Sequence, residues 1–125
     1  MPPKRVLIVD DSPSIRRNVV GVLQEAGYDV VEADNGVAAS QRIEEDHALA
    51  LVVCDVHMPC MNGIDLLRSL KDAPRRPPFL MLTSEVEPGF MRDAKQAGAR
   101  GWLVKPFKAA QLVATVGKIL GHEPA

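Results

Sequence analysis

Val6-Leu7-Ile8-Val9-Asp10-Asp11 is an apolar run closed by two acids, and Leu51-Val52-Val53-Cys54-Asp55 repeats the arrangement with one. Strands of a parallel sheet are covered on both faces, so they read as continuous apolar runs. Ligand sites in such sheets lie just beyond the carboxyl ends of the strands. The two stretches therefore predict a parallel sheet with three carboxylates meeting at one edge. Gathering that much negative charge away from water is unfavourable unless a cation sits among the oxygens, and hard oxygen ligands suit Mg²⁺. A divalent-metal site is the first expectation.

Two more apolar runs end in polar residues of another kind. Phe79-Leu80-Met81-Leu82 leads into Thr83-Ser84, and Gly101-Trp102-Leu103-Val104 leads into Lys105-Pro106. Acids, a hydroxyl and an ammonium at one edge describe a pocket that handles phosphoryl groups. The acids would hold metal, Thr83 would donate a hydrogen bond, and Lys105 would neutralise a phosphoryl oxygen. No Ser/His/Asp arrangement and no glycine-rich phosphate loop competes with this reading.

Between the strands the pattern turns helical five times. Ser12 can cap a helix with Pro13 in its first turn; Ile15, Val19, Val22, Leu23 and Ala26 recur at helical spacing, and Gly27 ends the pattern. Residues 28–33 read as a second strand. Asn35-Gly36 then opens a weaker helix to about Asp46, with Val37 and Ile43 as its larger apolar residues and the loosest packing expected of the five. The third strand, 50–55, enters a loop over 56–63. Ile64, Leu67 and Leu70 mark a helix, and 74–78 form a turn-rich connector. Pro88 and Gly89 open a fourth helix, with Met91, Ala94 and Ala97 on one face and Gly98 after it. The last helix, about 108–120, carries Leu112, Val116 and Ile119 at i, i+4 and i+7. Strands alternating with helices at this length imply a doubly wound, five-stranded parallel sheet with right-handed crossovers.

Composition narrows the function classes. At 125 residues and 46% hydrophobic, the chain fits one domain over 1–125, with its core at about 5–120. Its 15 basic and 16 acidic residues lack the basic excess of a nucleic-acid surface, so no nucleic-acid partner is expected. No apolar stretch approaches the roughly 18 residues of a membrane span, and the first residues lack the apolar core of a signal peptide. A cytoplasmic protein with no membrane partner is the expectation. Cys54 and Cys60 lack zinc-ligand spacing and are too few for a disulfide framework; Cys54 reads as a buried strand residue and Cys60 as a loop residue.

The pair Asp10-Asp11, Asp55 followed by Met58-Pro59 and Gly63, then Thr83 and Lys105-Pro106-Phe107, together resemble the receiver domain of two-component response regulators. Each element is weak alone; all of them in order at strand ends are specific. The resemblance runs from about Arg5 to Leu120. The lack of an attached output domain and the segment 95–107 further resemble stand-alone chemotaxis regulators of the CheY type.

That resemblance implies a flavodoxin-like (βα)5 fold and a set of roles. Asp55 would accept a phosphoryl group from a sensor histidine kinase. Asp11, Asp55 and the main-chain carbonyl of His57 would bind Mg²⁺, with Asp10 acting through water. Lys105 would pair with Asp55 before transfer and with the phosphoryl group afterwards, and Thr83 would move toward the phosphate. A cis Lys105–Pro106 peptide is implied. Trp102 stands where receivers often carry Tyr or Phe, an aromatic that turns inward with the threonine; packing without switching is the other reading. Output would be protein binding through residues 88–120, by a monomer that is no classical enzyme but assists its own phosphorylation and dephosphorylation.

Plainer readings stand beside these roles. Asp10 and Asp11 could be helix caps, Asp55 a turn residue, Thr83 an ordinary strand residue and Lys105 a solvated lysine. Gly63 could simply permit a tight turn, and Arg75-Arg76 reads as a solvated loop pair. His57 reads as a main-chain ligand, His47 and His122 as surface residues. Other functions with related chemistry are a phosphorelay intermediate passing phosphate to a histidine phosphotransfer protein, and a metal-dependent phosphatase with an aspartyl-phosphate intermediate. The phosphatase would need a cap or specificity loop, and no long insertion offers one. A flavodoxin-like cofactor carrier would meet repulsion from the acids at its phosphate.

Overall fold

Successive residues of a strand point to opposite faces, and in this chain that alternation divides the apolar runs between two cores. In the computed structural model, which describes residues 3–58, 62–70, 76–83 and 88–121, the chain runs β1 (Arg5–Val9), α1 (Pro13–Glu25), β2 (Asp29–Ala33), α2 (Gly36–Glu45) and β3 (Leu49–Asp55). It continues through α3 (Gly63–Ser69), β4 (Phe79–Thr83), α4 (Pro88–Ala97), β5 (Gly101–Val104) and α5 (Ala109–Leu120). Val6, Ile8, Leu51, Val53, Leu80 and Leu82 point to one face, where Val19 and Leu23 of α1 and Leu112 and Val116 of α5 cover them. Leu7, Val9, Val52, Cys54, Phe79 and Met81 point to the other, under Ala39 and Ile43 of α2, Ile64, Leu66 and Leu67 of α3 and Ala94 of α4.

All strand pairs are parallel, in the order β2-β1-β3-β4-β5. The order reverses between β1 and β3, which opens a crevice at their carboxyl ends. The register sets Val9 of β1 opposite Cys54 of β3. The next residue of each chain is then an acid, Asp10 or Asp55, and the crevice receives both.

Local signals place the helix ends. Ser12 Oγ accepts from the Ile15 amide at 3.5 Å, with Pro13 at the first helical position. Asn35 Oδ1 accepts from Ala38 and Asn62 Oδ1 from Asp65, both at 2.8 Å. Gly27 and Gly98 follow α1 and α4 with φ of 97° and 103°, the left-handed region that glycine enters at little cost.

Several expectations need correction. Ile15, expected at the helical spacing of the apolar residues of α1, is 37% exposed, and Val37, one of the larger apolar residues of α2, is 59% exposed. Helix α2 buries Ile43 together with Ala39, so a small residue packs where Val37 does not. Tyr28 precedes β2 rather than opening it, and packs in the core under α1 and α5. Strand β3 begins one residue earlier than expected, at Leu49, and Thr83 is the last residue of β4 rather than the first beyond it. Pro59, Cys60, Met61, Pro74, Arg75, Ser84 and His122 lie outside the described residues, as does the Met91 side chain.

Candidate functional site

The crevice gathers the three acids. Carboxylate oxygens of Asp10, Asp11 and Asp55 lie within 4.8 Å of one another. Asp10 is 1% exposed and Asp55 6%, while Asp11 faces solvent. Buried carboxylates need partners, and both have them. Asp10 Oδ1 accepts from the Ser12 amide at 2.9 Å, its amide donates to the Ala33 carbonyl at 3.3 Å, and its carbonyl accepts from Arg16 Nη1 at 2.7 Å. Asp55 Oδ1 accepts from the His57 amide at 3.1 Å.

Lys105 closes the crevice from β5. Its Nζ lies 3.3 Å from Asp55 Oδ2 and 3.5 Å from Asp10 Oδ2. The lysine thus serves both buried acids, where the sequence had suggested Asp55 alone. The Lys105 amide donates to the Thr83 carbonyl at 2.7 Å, which ties the end of β5 to the end of β4. Thr83 itself is buried at the same edge, and the Lys105–Pro106 peptide is cis, as the resemblance implied.

One cation does not balance three acids. Burial pushes the Asp55 carboxyl above the usual carboxylate range, and neighbouring Asp10 pushes the same way against the pull of Lys105 and the His57 amide. A residual negative field at an open crevice, lined by hard oxygens, fits a hard divalent cation such as Mg²⁺ better than a soft or anionic ligand.

Other expected residues take different places. Gly63 has no left-handed backbone; it opens α3 pressed against the strand end. A Cβ there would meet the Asp55 carbonyl oxygen and Met81 Cε at 2.6 Å each, so glycine is required by close approach rather than by a turn. Trp102 is half-buried against the core under α2, α3 and α4, beside Ala97 and Ala99. His57 contributes its amide to Asp55, and its ring is exposed. Cys54 is buried as expected; burial and the adjacent acids push its thiol far up, so it packs and does not react.

Two arginines were not foreseen. Arg16 braces the first acid pair, and the only sequence signal was a basic residue one turn into the helix after two acids. Arg76 is no solvated loop residue: its Nη1 donates to the Ala97 carbonyl at 3.3 Å, at the end of α4.

Comparison with known proteins agrees with this geometry. The family model of the response regulator receiver domain matches residues 6–117. The chain is 36% identical over 117 residues to the chemotaxis protein CheY of Bacillus subtilis, covering 93% of this chain and 97% of that protein. It is 38% identical to chemotaxis protein CheY-3 of Vibrio cholerae, covering 92% and 90%. Among solved structures, chemotaxis protein CheY4 of Vibrio cholerae superposes with a TM-score of 0.88 at 37% identity, covering 94% of this chain and 98% of that one.

Proposed function

The chain belongs to the family of response regulator receiver domains, and from that premise we propose that it is a phosphorylation-activated switch in which Asp55 is the phosphoacceptor. The observation that carries this reading is a single constellation: a buried Asp55 with Lys105 Nζ 3.3 Å from its Oδ2 and two more acids within 4.8 Å. A sensor histidine kinase is the donor. An Asp55 carboxylate oxygen forms the new bond to phosphorus as the bond from phosphorus to the donor imidazole nitrogen breaks, and the imidazole takes up a proton. The phosphoryl group then leaves to water as inorganic phosphate, which restores the carboxylate.

Asp11, Asp55 and the main-chain carbonyl of His57 would hold Mg²⁺, with Asp10 acting through water. When bound, the ion supplies charge neutralisation for the incoming phosphoryl oxygens. The chain's own groups do the rest. The His57 amide and Lys105 orient Asp55 before transfer; Lys105 then moves its charge to a phosphoryl oxygen, and the Thr83 hydroxyl donates to another. Only contacts that differ between the two states can shift the switch, and about 2 to 3 kcal/mol of difference shifts it roughly 30- to 150-fold. The surface of α4, β5 and α5, residues 88–120, is the output face, with half-buried Trp102 as the residue that links it to Thr83. A regulator of chemotaxis is the role the named relatives favour, and we propose that it acts as a monomer in the cytoplasm.

The test is labelling. Asp55→Asn should abolish Mg²⁺-dependent labelling by acetyl phosphate, read by phosphate-affinity gel and intact mass. Undiminished labelling on another residue would overturn the assignment. Phosphotransfer onward to a histidine phosphotransfer protein, rather than phosphorylation-dependent binding of a motility protein, would replace the chemotaxis role with a relay.

A further inference from the structure

Arg16 sits one turn into α1 with both ends of its guanidinium in use. Nη1 donates to the main-chain oxygen of Asp10 at 2.7 Å, and Nε donates to Oε1 of Glu32, on β2, at 3.0 Å. The arginine side chain is 19% exposed, which is low for a residue on the outer part of a surface helix. The carbonyl it holds belongs to the peptide joining Asp10 to Asp11. A peptide unit is planar, so holding its oxygen restrains the tilt of the plane and, through it, the position of the next Cα and the direction from which its side chain departs. That next side chain is Asp11. It is exposed, and its carboxylate takes no hydrogen bond among the described residues, so its position depends on the backbone. Asp10 differs: the Ser12 amide and Lys105 hold its carboxylate directly.

We infer that Arg16, braced by Glu32, is a positioning residue for the cation site: it locks the Asp10–Asp11 peptide so that the Asp11 carboxylate faces Asp10 and Asp55. The inference rests on the reading of the three acids as a Mg²⁺ site. It separates cleanly from a pure charge effect because the two have opposite signs. A guanidinium acting only through its field repels a cation, and removing it would tighten Mg²⁺ binding. A guanidinium that orients a ligand does the reverse, and losing such an outer partner lowers metal affinity by about ten- to a hundredfold.

The experiment is titration of the purified full chain with Mg²⁺ alone by calorimetry, with thermal unfolding measured in EDTA as the control. Arg16→Met should weaken Mg²⁺ binding about tenfold or more. Arg16→Lys keeps the charge but has one donor group where the fork had two, so it should lose affinity by a smaller factor. Glu32→Ala, which frees the guanidinium while leaving the three site acids in place, should also weaken binding, and because loss of its negative charge acts in the same direction the two Arg16 variants decide the sign. Equal or tighter binding by a folded Arg16→Met variant would overturn the inference. Should that variant not fold, unchanged affinity in both Arg16→Lys and Glu32→Ala would overturn it equally. Failure of the wild type itself to bind Mg²⁺ would instead sink the metal-site reading.

Discussion

Gly63 has no room for a side chain beside the site. Its first-turn position in α3 presses it against the carbonyl of Asp55, and its amide donates to Val56 at 2.9 Å. Of the two atoms a Cβ would strike, Met81 Cε is the end of a flexible side chain and can yield; the Asp55 carbonyl is backbone and cannot. Gly63→Ala should therefore cost about 1 to 3 kcal/mol and move Asp55, the proposed phosphoacceptor. Urea unfolding and acetyl phosphate labelling, measured together, should both fall; normal labelling in a destabilised variant would confine the glycine to packing. The acids and Lys105 were legible in the sequence because each ends an apolar run, and topology brings such ends together. Gly63 was legible as important, but its reason was not: the close approach comes from how α3 packs on β3, which no local pattern records. The role of Arg16 was hidden for a similar cause, since its partner Glu32 lies on β2, a separate element from α1.

Helices and strands differed in how plainly they could be read. Continuous apolar runs gave the inner strands β1, β3 and β4 to within a residue, since burial on both faces leaves little choice of residue there, while the edge strands β2 and β5 are only partly buried. Helix faces were less certain, because one apolar residue more or less at helical spacing changes little, and Ile15 and Val37 fell on the solvent side. The end of α4 was legible in Gly98, but the residue that caps it was not. Arg76 reads as a solvated loop residue because it comes 21 residues before the carbonyl it caps. The guanidinium sits at the negative end of the helix dipole and donates to Ala97, while left-handed Gly98 leaves room for it; a Cβ there would meet Arg76 Nη2 at 2.5 Å. Arg76→Ala should cost about 0.5 to 1 kcal/mol and speed hydrogen exchange at Gly98 and Ala99, whose amides bond to Lys95 and Ala94. Unchanged exchange there, with the protein folded, would mean that the glycine alone ends the helix.

At the scale of the whole molecule, the sheet concentrates at one edge a repulsion that the two cores must carry. Asp55 illustrates the sign. Its carboxyl titrates above the usual range in the folded chain, so the folded state takes up the proton first as pH falls. Its contribution is a penalty, fully present above the raised folded value and relieved as pH drops through it toward the unfolded value of about 3.9. Without metal, the wild type should therefore gain stability relative to Asp55→Asn as pH falls from 7 toward about 4, and the difference should be largest at neutral pH. Mg²⁺ at the proposed site would relieve the same repulsion by another route. A ligand that binds only the folded state at 100 times its Kd adds about 2.7 kcal/mol, on the order of 10 °C in Tm for a chain of this size. Asp11→Asn removes one charged ligand and should shrink that Mg²⁺-dependent gain while leaving the EDTA baseline unchanged or higher. Unfolding curves in EDTA and in saturating Mg²⁺, run across this pH range, decide the matter. A Mg²⁺ gain of equal size in Asp11→Asn would show that the ion binds elsewhere, and a baseline that falls with acidification as steeply as in Asp55→Asn would show that Asp55 carries no such penalty.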